Sequence, residues 1–196
     1  MTKPVVAIIG RQNVGKSTLL NRLTGRRISI VEDLPGTTRD RIFANVEWLG
    51  SEFTLIDTGG LETKPESSIS TGVNEQIEAA ISEADVVIFL VDVRDGVTPT
   101  DLDVADMLRR ADKPVLLVAN KSDNDKFEAD AVAFYTLGIG EPMAISALHG
   151  RGTAELLDKI ITMLPGAPPV EAEPDIMKVA IVGRPNVGKS ALLNAI

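Results

Sequence analysis

The stretch Gly10-Arg-Gln-Asn-Val-Gly-Lys-Ser17 places two glycines, a lysine and a hydroxyl at the spacing of a loop that cradles phosphates. Gly10 and Gly15 let the backbone bend so that consecutive amides point inward with no Cβ in the way. The backbone of Arg11, Gln12, Asn13, Val14, Lys16, Ser17 and Thr18 completes the cradle. A helix opening at Lys16 adds its unpaired N–H groups and the positive end of its dipole. Lys16 supplies a cation to the β- and γ-phosphates, and the Ser17 hydroxyl is a hard oxygen ligand for Mg²⁺. An ordinary glycine-containing turn would match this pattern by chance in roughly one chain of this size in a hundred. Gly183-Arg-Pro-Asn-Val-Gly-Lys-Ser190 matches it a second time, which removes chance as the explanation.

Phosphate loops serve adenine and guanine nucleotides alike, so the base must be named elsewhere. Asn120-Lys-Ser-Asp123 does so. The Asp123 carboxylate can accept from N1–H and N2–H₂ of guanine, a donor pair that adenine lacks. Asn120 can donate to N7 while bracing neighbouring loops, and the stem of Lys121 can lie over the base. Ser146-Ala-Leu148 follows a short apolar run, where a backbone N–H can meet guanine O6. Alone, such a tetrapeptide would more often be a surface turn. After a buried strand and about 100 residues behind a phosphate loop, it points to guanine.

The elements that must hold these groups are legible from apolar patterning. Val5–Ile9, Val86–Val91 and Pro114–Ala119 are continuous apolar runs, the mark of strands buried on both faces. Arg41–Trp48 and Glu52–Ile56 alternate around Leu49-Gly50-Ser51 and predict a hairpin. Residues 26–40 and the polar stretch from Asp57-Thr-Gly-Gly60 to Gly72 are expected to be mobile loops. Helices are predicted after Gly15, after a capping box at Thr100-Asp-Leu-Asp103 with Leu102, Ala105 and Leu108 inward, over a segment with Ala129, Val132 and Phe134 inward, and across Leu156–Leu164. Met143–Ile145 is a short last strand. The fold class is therefore α/β: a mostly parallel six-stranded sheet with one antiparallel edge strand and helices on both faces. Ligands bind such sheets at the carboxyl ends of the strands, where all the motifs above lie.

Pro and acidic residues dominate 166–176, a linker composition. The opening then repeats: Gly183 follows Gly10 by 173 residues, the length of a whole domain. The expected organisation is one domain at 1–165, a linker at 166–176 and the start of a second domain at 177–196. The chain is accordingly expected to be the first part of a longer protein. Residues 177–196 cannot bury a core alone, so Lys189 is expected to bind no nucleotide here.

The chain has no cysteine, which excludes disulfides and thiol chemistry and agrees with a cytoplasmic location. No apolar run approaches the ~20 residues of a membrane span, and no signal peptide opens the chain. The net charge of −8 argues against direct nucleic-acid binding by this chain itself. His149 and Trp48, each the sole residue of its type, read as a loop residue near the base pocket and a packing residue.

Taken together, these motifs resemble the translation-factor-related small GTPases, and closely the tandem-domain ribosome-assembly family Der, also called EngA. The resemblance spans the whole chain and rests above all on the second phosphate loop after an acidic linker. It implies a P-loop GTPase fold of the Ras-like kind, GTP and GDP with Mg²⁺ as ligands, and action on the large (50S) ribosomal subunit through the full-length protein. Thr38, beside Thr37 in Pro35-Gly-Thr-Thr-Arg-Asp40, would bind Mg²⁺ and the γ-phosphate. Asp57 would hold Mg²⁺ through water, and the Gly60 amide, within Asp57-Thr58-Gly59-Gly60-Leu61, would sense the γ-phosphate. Lys16, Thr38 and Gly60 would be the charge-stabilising groups for attack by water, with Asn13 as a fourth candidate that could ligate a potassium ion. The alternative for Asn13 is a purely bracing role in the loop.

Two features depart from the commoner patterns. Leu61 stands where Ras-type enzymes place a water-orienting Gln, so slow intrinsic turnover is expected. Gln12 stands where this family usually has Pro, which removes no phosphate ligand. Leu61 keeps open a second reading, a nucleotide-gated binding module with negligible hydrolysis.

Overall fold

Along Val86–Asp92 every residue is buried, and alternate side chains go to opposite sides. Val86, Ile88 and Leu90 join one apolar cluster, while Val87, Phe89 and Val91 join another. That division follows from the two-residue period of a strand and explains why the run is apolar throughout. The computed structural model describes residues 3–25, 42–58 and 69–166.

Among these residues the chain runs β1 (Val5–Ile9), α1 (Lys16–Thr24), β2 (Ile42–Trp48), β3 (Ser51–Asp57), α2 (Ile69–Glu83), β4 (Val86–Asp92), α3 (Pro99–Arg110), β5 (Val115–Asn120), α4 (Asp125–Asp130), β6 (Met143–Ala144) and α5 (Thr153–Met163). The sheet order is β2-β3-β1-β4-β5-β6. All neighbours are parallel except β2 and β3, which form the antiparallel edge predicted from their alternation. Leu49 and Gly50 turn that hairpin with φ of 48° and 79°, the two left-handed positions of a type I′ connection.

One face of the sheet carries α1 and α5. Leu19, Leu20 and Leu23 meet Leu156, Leu157 and Ile160 over Val6, Ile8 and Leu55. On the other face Ala80, Ile81, Val104 and Leu108 cover Ala7, Ile9 and Phe89. Trp48 packs against the first cluster and donates from Nε1 to Asp158 Oδ1 at 2.7 Å, which ties the hairpin edge to α5. Its expected packing role is thus met with an added polar anchor.

Several boundaries differ from expectation. Gly72 lies inside α2, not in a loop. A glycine in a helix costs about 1 kcal/mol relative to alanine, and the burial of Ala80, Ile81 and Ala84 against the sheet outweighs it. The capping box of α3 sits two residues earlier than predicted. Thr98 accepts from the Asp101 N–H, Asp101 accepts from the Thr98 N–H, and Pro99 occupies the first turn. The shift turns Val104, Ala105 and Leu108 inward and leaves Leu102 44% exposed.

The predicted helix around Phe134 is broken. After α4 the chain tightens into a 3₁₀ helix, Ala131–Leu137. With three residues per turn, Ala131, Phe134 and Leu137 face the core, while Ala129 and Val132 are exposed. Gly138 ends it in the left-handed conformation, as its position suggested.

The expected loop at 26–40, together with residues 59–68 and 167–196, lies outside the described residues. The linker after Gly166 and the second phosphate loop are among them.

Candidate functional site

β1 delivers the chain to Gly10 against the neighbouring strand. A Cβ on Gly10 would lie 2.2 Å from the Leu90 carbonyl oxygen of β4. The absolute need for glycine here therefore comes from strand packing rather than from room for a phosphate. Gly15 is constrained twice: its φ is 100°, and a Cβ would stand 2.5 Å from Asn120 Nδ2. Asn13 is also left-handed, with φ 63°, a conformation Asn tolerates better than most residues. Gly15 precedes α1 without a side-chain cap, so the first-turn amides of the helix are left facing the loop.

Lys16 is 5% exposed, and its Nζ donates to the carbonyls of Gly10 at 2.7 Å and Arg11 at 2.9 Å. The loop thus holds its own lysine in place, compensating an ammonium taken out of water. Arg11 contributes through this backbone oxygen. Its guanidinium turns to Asp95 at 2.5 Å, with Asp101 of α3 at 3.8 Å. The hydrogen bond from Arg11 holds the Asp95 carboxyl below the usual carboxylate range. Val14 is fully buried, whereas Gln12, Asn13 and Thr18 are exposed around the cradle.

Across the loop, Ser17 Oγ donates to Asp57 Oδ2 at 2.9 Å. Asp57 ends β3 and is wholly buried, and Thr58 next to it donates to the Ile8 carbonyl at 2.9 Å, fixing the exit of β3 on β1. The pair fits Mg²⁺. Both are hard oxygens, and Ser17 can keep its proton on Asp57 while its lone pairs face the loop. Among the described residues no cluster of three or more acidic, His or Cys side chains forms a metal cage. Mg²⁺ characteristically uses one or two protein oxygens and takes the rest from water and phosphate. Thr37, Thr38, Gly59, Gly60 and Leu61, which complete the expected set, lie outside the described residues.

The base-reading tetrapeptide leaves the end of β5, in register with the end of β4 at Asp92. Asn120 is buried and uses both ends of its amide: Nδ2 donates to the Val14 carbonyl at 2.8 Å, and Oδ1 accepts from the Ala147 N–H at 2.9 Å. The bracing role read from the sequence is present. Of the turn expected to present a backbone N–H to guanine O6, the Ala147 amide is donated to Asn120 within the protein. Lys121, left-handed at φ 68°, donates from Nζ to the Asn13 carbonyl at 2.6 Å and pairs with Asp92. Ser122 is buried beneath, bonded to the carbonyls of Ile145 and Ala119.

Asp123, two residues beyond Lys121, is held from two sides. Ser146 Oγ donates to its Oδ1 at 2.6 Å and Arg94 to its Oδ2. Ser146 chiefly, and then Arg94, hold the carboxyl below the usual carboxylate range. An ionised carboxylate is an acceptor alone, which suits a ligand edge carrying two adjacent N–H donors. His149 donates its backbone N–H to Ser146 Oγ at 3.2 Å, and its exposed ring stands 3.8 Å from Asp123. It is a loop residue beside the base-reading group, as expected. Leu148 is 64% exposed at the mouth.

Three contributors escaped the sequence reading. Arg22 of α1 donates from Nε to the Ala147 carbonyl at 2.8 Å and also to the Leu148 carbonyl, clamping the 146–148 turn to the helix that starts at the phosphate loop. Asp92 anchors Lys121, and Arg94 holds Asp123. Arg22 lies 125 residues from Ala147, and no local pattern marks it.

A model of the 50S ribosome-binding GTPase family matches residues 5–121 and again 178–196. GTPase Der of Moorella thermoacetica is 55% identical over 194 residues, covering 99% of this chain and 44% of that protein. The chain thus spans less than half the length of this curated relative. Among solved structures, Era of Aquifex aeolicus bound to GDP and AlF₄⁻ superposes with a TM-score of 0.65 at 31% identity, covering 92% of this chain and 63% of that one. Era in complex with MgGDPNP and a segment of 16S ribosomal RNA gives 0.65 at 32%, covering 89% and 61%.

Proposed function

The chain belongs to the 50S ribosome-binding GTPase family, and from that premise we propose that it is a GTP-hydrolysing switch acting, within a longer protein, in late assembly of the large ribosomal subunit. The observation that carries this reading is the convergence of Lys16, the Ser17–Asp57 pair and an ionised Asp123 at the carboxyl ends of β1, β3 and β5. A phosphate end, a metal edge and a base-reading carboxylate then lie on one edge of the sheet, with Asn120 and Lys121 bonded to the phosphate loop. The match to the 50S ribosome-binding GTPase family supports the ribosomal role, and the net charge of −8 favours contact with the ribosome through other segments. The same reading places the protein in the cytoplasm.

Asp123 accepts from the guanine donor edge, and Lys121 lies along the base from its anchor on Asp92 and the Asn13 carbonyl. The loop amides and Lys16 hold the β- and γ-phosphates and stabilise charge as the terminal bond breaks. Ser17 and Asp57 would hold Mg²⁺, Asp57 through water as the resemblance implies, with Thr38 as the further ligand that it implies. Mg²⁺ when bound neutralises charge on the β- and γ-phosphates. Leu61 offers water no hydrogen bond, so the intrinsic rate is slow.

Asn13 is exposed at the rim of the cradle, and its backbone carbonyl is held by Lys121. Its side-chain oxygen is proposed to ligate K⁺ against the phosphates. Single-turnover hydrolysis by this chain should then run about a hundredfold or more faster in potassium than in sodium at equal ionic strength, the low end of what one transition-state charge partner supplies. Asn13→Ala should abolish the difference while sparing GDP affinity. Equal rates in the two salts would leave Asn13 a bracing residue. Tight GTP binding with no turnover in either would favour the nucleotide-gated binding module.

A further inference from the structure

A carboxylate offers about four lone-pair sites, two on each oxygen. At Asp123 one site on each oxygen is already taken within the protein, Oδ1 by the Ser146 hydroxyl and Oδ2 by the Arg94 guanidinium. One acceptor site therefore remains on each oxygen, as many as a purine edge with two adjacent N–H donors requires. The two internal donors differ in kind. Ser146 is a neutral hydroxyl that also accepts the His149 N–H, whereas Arg94 is a permanent cation.

Arg94 is itself held from two sides. Its backbone N–H donates to Asp92 Oδ1 at 2.9 Å, and the other oxygen of Asp92 pairs with Lys121. Its guanidinium carbon stands 5.6 Å from the centre of the Phe127 ring, at the start of α4. The backbone of Phe127 is anchored in turn by the Asn124 cap, which accepts the Phe127 N–H at 3.1 Å. The turn after β4 and the first turn of α4 thus meet at Arg94, which reaches the Asp123 carboxylate. Neither the phosphate loop nor the base-reading tetrapeptide includes Arg94.

We infer that Arg94 is a positioning residue for base selection: braced by Asp92 and Phe127, it fixes the Asp123 carboxylate so that both of its oxygens face a purine carrying adjacent N1–H and N2–H₂ donors. The inference rests on the guanine reading proposed above. It makes a statement that the reading alone does not, because hypoxanthine keeps N1–H but lacks the 2-amino group. The ratio of GDP to IDP affinity therefore measures whether the second oxygen is correctly placed. Arg94 is half exposed, so its effect is moderate.

The test is calorimetric titration of the whole chain and of Arg94→Ala and Arg94→Lys with GDP, IDP and ADP in Mg²⁺, with thermal unfolding of each variant as the control on folding. Arg94→Ala should bind GDP about three- to tenfold more weakly and IDP within about twofold of the unmodified chain, and Arg94→Lys should recover part of the loss. Unchanged or tighter GDP binding by Arg94→Ala would overturn the inference, since Arg94 would then be a bystander or a competitor for the carboxylate. Equal weakening of GDP and IDP would also overturn it, as the mark of a general loss of structure. An unmodified chain that bound GDP no better than IDP and ADP would instead overturn the guanine reading itself, and the role of Arg94 with it.

Discussion

Asp123→Asn should weaken GTP and GDP binding by roughly ten- to a hundredfold and raise affinity for xanthosine nucleotides. The carboxylate is fully an acceptor, and its two internal donors keep it ionised well below neutral pH. An amide in its place presents one acceptor and one donor group. Guanine then faces a donor with a donor at one of its two positions, while the C2 carbonyl of xanthine gains a partner. Losing a charge-assisted hydrogen bond costs about 1.5–3 kcal/mol, which sets the expected range. Ser146 keeps an acceptor on the amide, and Arg94 is exposed enough to turn to water, so the fold should survive. Titration of the variant with GTP and XTP measures both arms. Undiminished GTP binding would mean that the base is read elsewhere.

Gly10→Ala should lower the thermal unfolding midpoint by roughly 2–12 °C, with or without nucleotide. The added methyl would stand 2.2 Å from the Leu90 carbonyl oxygen, where neither partner is a flexible side chain. Ile9 is paired with Phe89 in the ladder immediately before, so relief requires β1 and β4 to separate at their functional ends. Overpacking of this kind costs about 1–3 kcal/mol, occasionally more, and each kcal/mol moves the midpoint of a domain of this size by roughly 2–4 °C. Differential scanning calorimetry reads the shift. A variant with an unchanged midpoint but lost nucleotide binding would place the constraint in the phosphate cradle instead, as the sequence alone had suggested.

That contrast at Gly10 shows where sequence reasoning reaches and where it stops. The requirement for glycine was legible, but its cause lay in a strand about eighty residues away. The same holds for Asn120, whose bracing role was legible but whose partners, Val14 and Ala147, lie 106 and 27 residues away. The helix α2 was missed because the polar stretch leading to Gly72 carries a loop composition, and packing on the sheet overrode it. Around Phe134 the wrong period was assumed, since a 3₁₀ turn moves the buried face from a 3.6-residue to a three-residue repeat.

By itself the sequence determined much that depends on short-range pattern: the buried parallel strands, the hairpin, the phosphate loop before α1, and the types of side chain offered to phosphate, metal and base. Period, turn chemistry and motif spacing are local quantities, and a few residues suffice to express them. The tertiary structure alone decided which groups hold those side chains in place: Arg22 on the 146–148 turn, Asp92 on Lys121, Arg94 on Asp123 and Asn120 between two loops. Each of these contacts joins residues 27 to 125 positions apart, and each needs a charge or amide to lie within about 3 Å of its partner. No local pattern encodes such proximity. It arises when parallel strands bring their carboxyl ends to one edge of the sheet.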